Sequence, residues 1–321
     1  MYTLVFAVSI LYQECVVPRM WATPLRLLLL STQGPRRGSL AVTLSPMSEP
    51  RDNLDKILAA VADGALSPPE AAERLKRGEV RYLGEFAVLD LGRAKRKGVP
   101  EIVYAPGKTS EGVVRICASI LDHRKRVIVS NPTREQEEAL RKALPNTPVK
   151  RAGRALVAGT GAPAPTGGRV VAISAGTSDL PILEEAVAVA REMGVAVKSF
   201  HDVGVAGLHR LTGPLEELRA FDPDCVIVAA GMEGALPSVV SGLVAVPVIG
   251  LPTSTGYGLG GDGTAAILAM LGSCSPGLSV VNVDNGVGAG ATAALIANRA
   301  ARHRENPERG RSDSRAPSTD C

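Results

Sequence analysis

Aromatic residues are scarce in this chain. Its 321 residues include ten, 3% of the total, with a single Trp. Four of the ten (Tyr2, Phe6, Tyr12 and Trp21) crowd the extreme N-terminus. So few rings leave no stacking platform for single-stranded nucleic acid, and no nucleic-acid partner is expected. Long apolar runs are absent too: none reaches the roughly 18–20 residues that cross a bilayer. The apolar start is broken by Gln13, Glu14, Pro18, Arg19, Pro24 and Arg26, and no positive charge precedes it as in a signal peptide. No membrane association is expected. The cysteines (Cys15, Cys117, Cys225, Cys274 and Cys321) form no CxxC pair, which excludes a zinc knuckle or ribbon. An odd, sparse set fits a reducing cytoplasm. His123, His201, His209 and His303 lack metal-ligand spacing, and GxSxG, Walker and HExxH patterns are missing.

What is abundant is small and aliphatic. Hydrophobic residues make up 45%, charged residues 21%, and there are 34 Gly. That composition suits a globular α/β protein with tight strand–helix turns. The net charge of +4 hides an asymmetry. Residues 51–154 hold 21 basic and 14 acidic side chains (+7), whereas 155–301 hold 6 and 12 (−6). A basic half beside an acidic half predicts two domains with different tasks, and the cancelling fields argue against a nucleic-acid surface.

Periodicity divides the chain further. Residues 1–50 show no clear period and end in a Ser/Pro/Gly-rich stretch, Ser31 to Pro50, with Met47 just before the first helix pattern, so they read as a disordered or mis-started extension. Residues 51–154 read as a small basic α/β domain. Leu54, Ile57, Leu58 and Val61 mark one helix, and Ser67 with Glu70 caps a second. Residues 155–168, small and Pro/Gly-rich, read as a linker. From 169 to 300, five apolar runs (170–174, 195–200, 225–231, 247–252 and 278–283) alternate with helical segments. This predicts a doubly wound parallel sheet, whose ligand lies at the carboxyl ends of the strands. Residues 301–321 read as a disordered tail.

The loops after those strands carry the chemistry. Gly176-Thr177-Ser178-Asp179 follows the first, where N–H groups and hydroxyls suit a phosphate. Asp179 could accept from ribose, hold a divalent ion, or only cap the helix. Glu233, in Ala230-Gly231-Met232-Glu233-Gly234, is a lone carboxylate at a strand end. Partial burial there would raise its pKa and suit it to proton transfer. The loop from Pro252 to Thr264, with Ser254, Gly256, Tyr257 and Gly258, contains GxGxxG over 258–263. A Thr/Ser/Tyr stretch separates that pattern from its strand, unlike a true dinucleotide fingerprint, and close approach to an anion is the better reading. Asp284, Asn285 and Gly286 open the last helix and suit phosphate or ribose. Cys274 lies in a small polar loop, whereas Cys117 and Cys225 sit inside apolar runs like core thiols. In the basic half, Arg93 and Arg96 are spaced to share a helix face, near Lys108.

These motifs carry a resemblance. GTSD (176–179), AGMEGALPSV (230–239), PVIGLP (247–252) and TAALIA (292–297) resemble motifs of the PurE superfamily of aminoimidazole ribonucleotide carboxylases. Ala235 stands where that family's AHLP motif has histidine. The chain from about 53 to 300 is more similar to the LarB family, the pyridinium-3,5-biscarboxylic acid mononucleotide synthases. It meets that family's pattern from Asp90 to Val103, with Leu91-Gly92 departing after the Asp, and again in GKT (107–109), PTSTGYG (252–258), the Cys–x–Pro–Gly of 274–277 and VVNVDNGVGAG (280–290).

The resemblance implies a PurE/flavodoxin-like catalytic domain and a homo-oligomer, octameric as PurE-like domains generally are. It implies carboxylation of nicotinic acid adenine dinucleotide by CO2 with hydrolysis of its phosphoanhydride, on the way to a nickel-pincer nucleotide; the alternatives are a PurE-type aminoimidazole ribonucleotide carboxylase or mutase, disfavoured by Ala235 and Cys274, and a non-catalytic nucleotide-binding module. In the dinucleotide reading Cys274 is the covalent nucleophile and Glu233 moves the ring proton or primes the thiol. The 176–179 and 254–258 loops hold phosphates and ribose, as do Asp284, Asn285 and Gly286. Arg93, Arg96 and Lys108 meet the substrate's anionic end or the other domain. Mg2+, with Asp179 as its ligand, assists the hydrolysis, and no organic cofactor is expected.

Overall fold

The sequence between residues 54 and 77 folds into the two helices its spacing predicts. In the computed structural model, which describes residues 54–77, 80–84 and 86–305, helices α1 (Leu54–Ala62) and α2 (Pro68–Arg77) come first. Ser67 and Glu70 form the expected reciprocal cap: the Ser67 N–H and Oγ–H donate to Glu70 Oε2 at 2.9 and 2.6 Å, and the Glu70 N–H donates back to Ser67 Oγ at 3.4 Å. Ile57 is buried, but Leu58, predicted for the same face, is 55% exposed. The expectation for residues 1–50 lies outside the described residues.

A short hairpin, β1 (Val80–Leu83) and β2 (Ala87–Asp90), leads to α3 (Arg93–Lys97). A four-stranded sheet then forms from β3 (Ile102–Tyr104), β4 (Arg126–Ser130), β5 (Val149–Ala152) and β6 (Ala155–Gly159), in the order β3-β4-β6-β5. Helices α4 (Ser110–Leu121) and α5 (Arg134–Ala143) connect them. Thr133 and Gln136 cap α5 reciprocally. The predicted linker therefore starts too early. Ala155–Gly159 is wholly buried and pairs antiparallel with both β4 and β5. Its small residues are core residues of a sheet, and only the Pro/Gly-rich part beyond them connects.

The second sheet comprises β7 (Arg169–Ser174), β8 (Ala196–Phe200), β9 (Cys225–Ala230), β10 (Val248–Pro252) and β11 (Leu278–Val280). All pairs are parallel and the order is β11-β10-β9-β7-β8. Taken by sequence within the sheet, that is a flavodoxin-like 2-1-3-4-5 order with its switch point between β7 and β9. The connecting helices are α6 (Leu180–Glu192), α7 (Thr212–Phe221), α8 (Leu236–Ser241), α9 (Thr264–Leu271) and α10 (Gly286–Glu305). The predicted fifth strand stops at Val280, three residues short. The last helix instead runs to Glu305, with Ala301 buried and Arg304 paired to Asp224, so the predicted tail boundary at 301 falls inside a helix.

Helices α6 and α10 join the two sheets. One continuous apolar core holds Ile128, Ala155 and Val157 of the small sheet, Ala186 and Val189 of α6, Ala293 and Ala297 of α10, and Val170 and Ile227 of the large sheet. The helices approach closely because small residues line their contact. A Cβ on Gly290 would sit 2.3 Å from the Ala186 carbonyl oxygen. Gly290→Ala should therefore destabilise the protein by about 1–3 kcal/mol, read as a lower urea midpoint; an unchanged midpoint would show that the helices part freely.

Among the described residues, no helix is long and apolar enough to cross a membrane.

Candidate active site

The switch point brings two of the predicted loops together. The loop after β7 and the loop after β9 line a cavity of about 590 Å³, with Thr255, Gly256 and Tyr257 from the loop after β10. Gly176, Ser178, Asp179 and Glu233 all border it, as does Ala235. The backbone is tight here: a Cβ on Gly231 would meet the Thr255 carbonyl oxygen at 2.0 Å, so the residue must be glycine. Met232 adopts φ +51°, a left-handed conformation costly for a long side chain, and it turns the chain at the cavity edge.

Asp179 is the organising residue. It is 3% exposed; its Oδ1 accepts from Thr253 Oγ at 2.6 Å and its Oδ2 from the Gly176 N–H at 2.8 Å. It occupies the cap position of α6 without capping it. The Gly176 N–H, expected to face a phosphate, is thus taken by Asp179. Burial raises the Asp179 pKa, against the lowering pull of these donors. Mg2+ does not fit this environment. Both carboxylate oxygens already accept from the protein, and among the described residues no group of three or more His, Cys, Asp or Glu converges.

The raised pKa has a measurable consequence. Between the ordinary value of 3.8 and the raised one, the native state keeps a proton that the unfolded chain has lost, so stability falls as pH rises through that range. Asp179→Asn removes this term. Its stability relative to the parent should increase as the pH rises above about 4 in denaturant titrations; a pH-independent difference would contradict the burial argument.

Glu233 is exposed, not partly buried as expected, because the Met232–Gly234 turn lifts it off the end of β9. Cys274 is exposed as well, whereas Cys117 and Cys225 are core thiols that burial pushes up to about 12. Cys274 does not line the cavity that Glu233 borders. Glu233 follows β9, at the edge where the parallel strands end; Cys274 precedes β11, at the edge where they begin. A five-residue strand spans about 16 Å. The Cys274 loop packs instead on α8, where Ser275 Oγ donates to the Ser238 carbonyl at 2.9 Å and Ser241 Oγ to the Pro276 carbonyl at 3.0 Å. Its neighbours Leu268 and Leu271 are exposed at 63% and 65%.

The remaining predicted residues separate. Arg93, Asp284 and Asn285 border a second cavity, between the small sheet and α10. Asp284 has φ +58° and ties the loops together: it accepts from the Ser254 N–H and Oγ at 2.9 and 2.7 Å and pairs with Arg154 at 3.1 Å. Gly286 packs against Glu185 at the start of α10. Arg93 and Arg96 do not converge on one point: Arg93 pairs with Glu101 at 3.4 Å and Arg96 with Asp90 at 2.5 Å, which lowers the Asp90 pKa. Lys108 donates to the Tyr104 carbonyl at 2.7 Å and borders neither cavity. Tyr257 is 79% exposed, Gly258 opens a 3₁₀ turn beside it, and Thr177 is exposed at the rim.

Several residues of these cavities escaped the sequence reading. Thr253 is fully buried and holds Asp179; Arg210 borders the first cavity and pairs with Asp202 at 3.0 Å. Glu185 is 2% exposed and accepts from Ser130 Oγ at 2.7 Å. Only Glu185 had a readable signal: it stands three residues after Ile182 and four before Val189, on the apolar stripe of α6.

Both sheet regions of the chain are similar to known families. Residues 80–160 match the LarB/PurE-like N-terminal domain, and residues 169–311 match AIR carboxylase. An uncharacterised protein of Methanocaldococcus jannaschii is 38% identical over 76% of this chain and 97% of its own length. The chain belongs to the LarB/PurE-like AIR carboxylase superfamily. The N5-carboxyaminoimidazole ribonucleotide mutase of Thermotoga maritima is 30% identical over 40% of this chain and 74% of its own. A crystal structure of a Treponema denticola PurE2 variant is similar at 20% identity and a TM-score of 0.31, covering 46% of this chain and 96% of that one. Residues 169–311, which match AIR carboxylase, contain the switch-point cavity that Asp179 organises.

Proposed function

We propose that this superfamily member carboxylates the pyridinium ring of nicotinic acid adenine dinucleotide with CO2 and hydrolyses its phosphoanhydride, giving pyridinium-3,5-biscarboxylic acid mononucleotide and AMP. The observation that carries this reading is Cys274: an exposed thiol in a Cys–x–Pro–Gly loop, beside two core cysteines. A pyridinium ring is electron-poor and cannot attack CO2. Addition of the Cys274 thiolate to a neighbouring ring carbon makes an enamine that is nucleophilic at carbon 5. Its electron pair forms the bond to CO2. The carbon-5 proton then leaves to Glu233, and expulsion of the thiolate restores aromaticity. Water divides the anhydride, and nothing is oxidised or reduced.

Because Cys274 and Glu233 stand at opposite sheet edges of one protomer, the reading includes a homo-oligomer in which one copy supplies the thiol and another the carboxylate. The exposed Leu268 and Leu271 beside Cys274 supply an apolar surface for such a contact.

The second reading is carboxy-group transfer on aminoimidazole ribonucleotide. The similarity to the Thermotoga maritima mutase favours it, and Ala235 opposes it. Parallel incubations with the dinucleotide plus bicarbonate and with each aminoimidazole ribonucleotide substrate, resolved by chromatography and mass spectrometry, decide between them. The biscarboxylated mononucleotide and AMP are expected from the first; turnover of an aminoimidazole substrate alone would overturn the proposal.

A further inference from the structure

Arg154 joins the small sheet to the loops around the switch-point cavity. It is the second residue of a two-residue turn, Gly153-Arg154, between β5 and β6. Its backbone is fixed on both sides. The Arg154 N–H donates to the Pro181 carbonyl, in the first turn of α6, at 2.9 Å, and the Arg154 carbonyl accepts from the Asn131 N–H at 2.8 Å. The guanidinium is held as well: Nε donates to Asn131 Oδ1 at 3.4 Å, and the group pairs with Asp284 at 3.1 Å. Asn131 and Asp284 have φ +49° and +58°, left-handed conformations that need local contacts to hold them.

Asp284 carries this anchor into the site, because its two oxygens accept from the Ser254 N–H and Oγ–H. Three consecutive residues then tie to three different strand ends. Thr253 Oγ donates to Asp179 after β7, and Ser254 donates to Asp284 after β11. The Thr255 carbonyl accepts from the Met232 N–H after β9 at 2.9 Å, one residue before Glu233. Thr255 lines the switch-point cavity, whereas Arg154 does not. A displacement of Ser254 therefore moves both a cavity wall and the backbone that carries Glu233.

We propose that Arg154 is a positioning residue for the switch-point site: it holds Asp284 and, through Ser254, fixes the 253–255 loop against the loops after β7 and β9. A neutral side chain at 154 would leave the partly buried Asp284 without its paired cation, turning it toward water and away from Ser254. The small domain thus takes part in the chemistry without touching substrate. This deepens the proposed reaction, and the kinetic arm of its test rests on that reading; the exchange arm does not.

The test compares full-length Arg154→Ala with the parent by amide hydrogen exchange and single-turnover kinetics. The amides of Ser254 and Met232 should exchange about tenfold faster or more, while those of β4, β6 and α10 stay within about twofold. The rate of pyridine carboxylation should fall about tenfold or more, with dinucleotide affinity changed less than about threefold, since reacting geometry is lost and binding is kept. Arg154 is to act only through Asp284, so in an Asp284→Asn background Arg154→Ala should add nothing to the exchange of the 253–255 loop; an additive effect would overturn the proposal. If Arg154→Ala fails to fold, Arg154→Gln, which keeps a donor but not the charge, makes the same comparison. Faster exchange confined to β5 and β6, or parent-like product formation by the variant, would also overturn it and leave the functional reading standing. Faster exchange at Ser254 and Met232 in a protein whose parent forms no pyridine product would sink the functional reading and leave this inference standing.

Discussion

Cys274→Ala should lower formation of the biscarboxylated mononucleotide at least about 1,000-fold, while dinucleotide binding changes only a few-fold. Without the thiolate the ring never becomes an enamine, and no remaining group substitutes. The thiol is exposed and in a loop, so its loss leaves no core cavity and the melting temperature should hold. Cys117→Ala and Cys225→Ala should show the opposite pattern. Both are fully buried, so stability falls and the intrinsic chemistry persists. Single-turnover rates and thermal melts of the three variants separate these outcomes. Substantial turnover by Cys274→Ala would remove the nucleophile from the mechanism.

The second large effect is a gain. Cys274→Ala and Glu233→Gln should each be inactive alone, yet subunits mixed by mild dissociation and reassembly should recover about one quarter of wild-type activity. The reason is the sheet polarity: Glu233 follows a strand end and Cys274 precedes a strand start, so a complete site draws on two copies. In a random mixture, half of the thiol donors and half of the carboxylate donors are intact, and their product is one quarter. No recovery after verified subunit exchange would mean that thiol and carboxylate act from the same copy.

Much of the fold could be read in advance, for identifiable reasons. The buried strands Val170–Ser174 and Cys225–Ala230 are continuous apolar runs flanked by turn residues, which is the signature of a parallel sheet covered on both faces. Ser67 and Thr133 announce their helices through side chains that cap locally. The reading failed where tertiary contacts decide. Ala155–Gly159 looks like a linker because its residues are small, and only pairing with β4 and β5 makes it a strand. The site was legible as loops but not as partnerships. Asp179 was visible as an acid after a strand; that Thr253 and Gly176 occupy its oxygens depends on loops far apart in sequence meeting at the switch point. Glu233 was placed in the right loop with the wrong burial, since a left-handed Met232 is not encoded by any turn motif. The separation of Arg93 from Arg96 likewise depends on Glu101 and Asp90 drawing them to different carboxylates.

The central claim is that Cys274 bonds covalently to a pyridinium ring. The most direct measurement is peptide mass mapping of the intact protein after incubation with NAD, whose pyridinium ring can accept the thiolate without being carried through to product. The account predicts a single adduct of the dinucleotide's mass on the peptide containing Cys274, absent in Cys274→Ala. No adduct, or an adduct on Cys117 or Cys225, would contradict it.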